Sequence, residues 1–124
     1  MPNTFAELYR GQLKDIFLER AQHELEQGAD AFMSADAYAE QGKPDFTLAY
    51  LLFLNSDDEV KKDILARAYE RRAIISEEKA EAFDQQFHRP FPLIKLEAQK
   101  DRMAAQQIRQ GRRMRREVKS LHMN

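Results

Sequence analysis

Arg109, Arg112, Arg113, Arg115, Arg116 and Lys119 fall within eleven residues, relieved only by Glu117. Guanidinium forks packed this closely neutralise phosphates, bidentately where lysine makes a point contact, with binding that falls steeply as salt rises. Wound into a helix, Arg109, Arg112, Arg113 and Arg116 form the densest face. The same residues suit a second kind of partner, an acidic protein face, because the charge of the chain is divided. Residues 1–88 hold 10 Lys and Arg against 18 Asp and Glu, a net of −8, while residues 89–124 hold 10 against 3, a net of +7. Charge asymmetry between parts of a chain points to an interaction tail. No aromatic residue follows Phe91, so single-stranded bases would find no stacking platform. Only Met114, Val118 and Leu121 offer apolar surface beside the arginines, and a membrane surface is not expected as a partner.

Other residues with chemical potential are sparse. The three histidines, His23, His88 and His122, are scattered. Glu19 with His23 and Asp84 with His88 stand at i, i+4, a spacing that sets a carboxylate beside an imidazole for proton transfer or metal ligation. The commoner meaning of such pairs is a solvated helix-face contact worth a few tenths of a kcal/mol. Neither the Glu-x-x-His spacing of di-iron bundles nor His-Glu-x-x-His occurs. With four glycines in 124 residues there is no phosphate-cradling loop and no Gly-x-Ser-x-Gly elbow. The absence of cysteine removes disulfides, thiolate ligands and a thiol nucleophile. No catalytic residue, cofactor or metal is therefore expected, and the chain reads as non-enzymatic.

The element that must organise these residues is Phe46–Leu54, in which eight of nine residues are apolar. It is too short to span a bilayer, which needs about 20 residues, and an element apolar all round must be enclosed by others. Its leucines and alanine favour helix over strand, and no second strand-like segment exists to pair with it. The other elements read as amphipathic helices. Thr4 and Glu7 form a capping box opening a helix whose apolar residues, from Phe5 to Leu25, keep helical spacing to Gly28. Asp30 caps a second helix to about Gln41, and Gly42 with Pro44 separates it from the central one. Ser56-Asp57-Asp58-Glu59 opens a fourth, running to about Ala73, and Ser76-Glu77-Glu78 a fifth, to Phe87. Arg89-Pro90-Phe91-Pro92 breaks the helix. A long polar helix follows from Leu93 to about Ser120, interrupted at Gly111, with Leu93, Ile94 and Leu96 able to reach the core. The aromatic residues Phe5, Phe17, Phe32, Tyr38, Phe46, Phe53, Phe83 and Phe87 are expected in that core, with Phe91 pinning the connection or docking a partner groove.

The fold class that follows is all-α, a compact bundle of about five helices with a long basic C-terminal helix. Residues 1–88 form an acidic helical core domain, and residues 89–124 a proline-bracketed connection and a basic arm packing partly on it. The N-terminus lacks a basic region followed by an apolar run, so a cytoplasmic protein is expected. The expected function is a protein-interaction or adaptor protein that self-associates through its C-terminal arm. The alternative is a nucleic-acid-binding accessory protein using Arg109, Arg112, Arg113, Arg115, Arg116 and Lys119.

Overall fold

The computed structural model describes residues 4–111, and every regular element among them is helical. Six α-helices follow one another: α1 (Phe5–Tyr9), α2 (Asp15–Glu26), α3 (Ala31–Glu40), α4 (Pro44–Leu51), α5 (Asp58–Phe87) and α6 (Pro92–Arg109). None of them is long and apolar enough to cross a membrane.

The start signals in the sequence act largely as their chemistry dictates. The Glu7 N–H donates to Thr4 Oγ1 at 3.2 Å and the Thr4 N–H donates to Glu7 Oε1 at 2.7 Å, completing the capping box. The Met33 N–H donates to Asp30 Oδ1 at 2.8 Å, and Pro44 occupies the first turn of α4. The single helix expected from Thr4 to Gly28, however, is two. Arg10–Gln12 tighten into one 3₁₀ turn and Leu13 takes extended backbone (φ −118°, ψ 136°). One rod of that length would span roughly 36 Å and carry one end away from the core. Broken at the glycine, it buries Phe5 and Tyr9 from one piece and Leu13 and Ala21 from the other.

The fourth and fifth expected helices are one. α5 runs uninterrupted for 30 residues, because nothing between Asp58 and Phe87 breaks a helix and Ser76 is only a mildly poor helix former. Nor is Ser56 its cap. Asp57 holds that position without a side-chain hydrogen bond, and Asp58 Oδ2 accepts from the Phe5 N–H at 3.0 Å, tying the start of α1 to the start of α5. α5 ends at His88, held in the left-handed region (φ 57°, ψ 37°) with its N–H donating to the Asp84 carbonyl. A residue with a Cβ is strained there, so His88→Gly should stabilise the protein by about 1 kcal/mol, read as a higher denaturant midpoint at unchanged slope.

α4 supplies the centre, with Thr47–Leu51 all buried. The Thr47 hydroxyl satisfies itself by donating to the Lys43 carbonyl at 2.9 Å. The enclosure expected for the whole apolar stretch stops there: the helix ends at Leu51 and Phe53 is exposed. Tyr38 of α3 stacks on Phe46 and Tyr50 of α4, with ring centroids 5.1 and 5.7 Å away. α5 carries Ile64, Leu65 and Ala68 into this core.

α6 returns along α5, and the seam between them is built from small residues. Ala66, Ala73 and Ala80 recur every seven residues on α5, as do Ala98 and Ala105 on α6, and all five are buried. Apolar positions alternating at three and four residues are the pattern of coiled-coil packing, and alanine lets two backbones approach closely. Phe83, Phe87 and Phe91 close the turn end, with centroids 5.3–5.9 Å apart.

A candidate interaction surface on the C-terminal helix

The side of α6 facing α5 is fully engaged. The Arg72 guanidinium grips the buried Asp101 carboxylate through two hydrogen bonds of 2.9 Å. Arg102 takes Glu77 in the same bidentate way, at 2.8 and 2.6 Å. In the last turn Arg109 spans two carboxylates, with Nε and Nη2 on Glu70 at 3.1 and 2.9 Å and Nη1 on Asp63 at 2.8 Å. Asp63 also accepts from Arg67 Nε at 3.3 Å, and Arg67 reaches Asp36 and Glu40 of α3 at 2.8 and 3.3 Å. A chain of alternating charge thus crosses from α3 over α5 to α6. Individual exposed pairs add little stability, about 0–1 kcal/mol each, but bidentate forks fix the register in which the alanine seam closes.

The hydrogen bond from Arg109 holds the Asp63 carboxyl below its ordinary value, assisted by Arg67 and opposed by partial desolvation. Arg102 does the same to Glu77. A carboxyl depressed in the folded state contributes stability that is present above its unfolded pKa and lost as pH falls through the folded one. The melting temperature should therefore drop as pH is lowered below about 4, and the double variant D63N/E77Q should show a shallower drop over that window. Burial, by contrast, pushes the Tyr9 and Tyr69 hydroxyls up to about 12, so neither phenol ionises near neutrality.

Of the six cations prominent in the sequence, Arg109 is therefore turned inward onto Glu70 and Asp63. Arg112, Arg113, Arg115, Arg116 and Lys119 lie outside the described residues, as does the C-terminal part of the helix expected to reach Ser120. Within the described residues α6 ends at Arg109, and Gly111, at φ 76°, donates its N–H to the Ile108 carbonyl. Glu19 and His23 are both exposed on α2, and Asp84 meets His88 through its main-chain carbonyl. No group of three or more His, Asp or Glu among the described residues is placed to hold a metal ion.

The outward side of α6 is where sequence and structure part. Ile94 is partly buried, but Leu93 and Leu96, expected to reach the core, are 75% and 44% exposed, and Met103 is 55% exposed. At 100° per residue, Leu96 and Met103 lie opposite the Ala98–Asp101–Ala105 seam. Phe32, Phe53 and Phe87 are likewise exposed rather than core. Phe91 packs within the turn cluster, with the Arg89 guanidinium 5.1 Å over its ring, and so pins the connection. The signal that separates inner from outer residues is the heptad of alanines: with Ala98 and Ala105 inside, Leu96 and Met103 must be outside.

Compared with protein-family models, curated proteins and solved structures, the chain matches none.

Proposed function

We propose that this chain is a non-enzymatic helical interaction protein that self-associates through residues 89–124. The observation carrying the proposal is the division of α6 into two faces. The inner face is locked to α5 by buried alanines and arginine forks, while the outer face presents Leu93, Leu96 and Met103 to solvent. Large apolar side chains aligned on one helix, beside polar flanks, are a feature of surfaces that bind other proteins.

The second reading, binding of nucleic acid or another polyanion, draws on Arg112, Arg113, Arg115, Arg116 and Lys119, which fall within eight residues. Arg109 does not add to that set, since Glu70 and Asp63 neutralise it. The two readings separate in one experiment: light scattering coupled to size exclusion, at low and high salt, with and without a short duplex. A multimer indifferent to the duplex supports the first reading. A monomer that shifts with the duplex and releases it as salt rises replaces the first with the second.

A further inference from the structure

Building on the self-association reading, we infer that the partner of α6 is a second copy of α6, packed antiparallel across a two-fold axis at the level of Ala98. The row facing outward is Leu93, Leu96, Lys100 and Met103, spaced at three, four and three residues. That spacing reads the same from either end. A two-fold axis passing beside Ala98 sets Leu93 against the partner's Met103, and Leu96 against the aliphatic stem of the partner's Lys100.

Charge fits the same arrangement. Glu97 and Lys100 of one chain pair with each other at 3.7 Å, both largely exposed. Across the axis each Glu97 comes beside the partner's Lys100, so the ion pairs are exchanged rather than lost. Arg102 and Arg109 are turned to α5, and Lys95 stands about 100° round the helix from Leu96, so none of the three faces a second copy. A contact of one helix face is at the small end of protein interfaces, so dimerisation depends on concentration.

The absence of cysteine in the chain makes the register directly testable with introduced thiols. In the full chain, Leu93→Cys with Met103→Cys should yield a covalent dimer with a short thiol-reactive crosslinker. Within one helix those positions are about 15 Å apart and cannot join. Leu93→Cys alone should give none, because the two copies of residue 93 are then also about 15 Å apart. Leu96→Lys should halve the mass seen by light scattering while the melting temperature stays put, since Leu96 is exposed in the monomer and the new cation would be set against the partner's Lys100. Truncation after Gln110 should leave the dimer intact. A dimer that survives Leu96→Lys and is lost on truncation overturns this interface and leaves self-association through residues 111–124 standing. A chain monomeric at every concentration overturns both, its outer row then being left to another protein or to its own terminal residues.

Discussion

Replacing Gly42 by alanine should cost the fold about 3 kcal/mol, a large share of the 5–15 kcal/mol typical of a domain. Two independent penalties meet at this residue. Its φ is +69°, where any side chain with a Cβ is strained by roughly 1 kcal/mol. In addition, a Cβ there would lie 3.0 Å from both Cα and N of Arg72 and 3.1 Å from Ile75 Cδ1. The first two are backbone atoms in the middle of α5 and cannot rotate away. Overfilling a packed contact of this kind adds about 1–3 kcal/mol. Gly28 supplies the internal control. Its φ is +102°, but a Cβ there meets nothing within 4 Å, so Gly28→Ala should pay the strain alone. Denaturant unfolding of the two variants reads the difference, and equal losses would show that the close approach of α3 to α5 carries no energy.

Ala73→Leu should be comparably severe, at about 3 kcal/mol. Ala73 is fully buried in the seam, and the adjacent Arg72 makes the fork with Asp101. Three added carbons have no cavity to enter, so α5 and α6 must separate, stretching two 2.9 Å hydrogen bonds whose acceptor is buried. Loss of a partner for a buried carboxylate is costly beyond the packing change. Ala80→Leu tests the same seam nearer the turn, where the hairpin can splay. Its loss should be the smaller of the two. The reverse order would mean that the turn end, with its three phenylalanines, is the stiffer part.

These sites show how unevenly the sequence reveals the structure. Local chemistry with a single meaning was legible: the Thr4–Glu7 box, the Asp30 cap, the stops at Gly28 and Gly42, and the proline at the start of α4. Signals with two meanings were not. Ser76-Glu77-Glu78 has the composition of a helix start, yet it lies in the middle of α5, because a serine opens a helix only where the preceding backbone has left one. Gly11 lies within the one helix expected from Thr4 to Gly28 and instead marks its break, since burying both Phe5 and Leu13 outweighs continuing one rod. The basic run stands out in the sequence by its density. The ion pairs that lock α6 come from residues far apart in sequence, such as Asp63 and Arg109, and no local window contains both. The alanine heptads could have been read and would have placed Leu93, Leu96 and Met103 correctly.

The hydrogen bond between Phe5 and Asp58 also sets an order of events during synthesis. Its two ends are 53 residues apart, so closing that loop is entropically costly until the intervening helices have formed. α3 and α4, neighbours joined by a tight turn, can associate early, whereas α1 has only five residues and little helical stability of its own. α1 is thus fixed in place late, after Asp58 has been made and α5 has begun to wind. Amide hydrogens of α1 should exchange with solvent earlier than those of α4, marking the N-terminal turn as the seam from which the folded chain first opens.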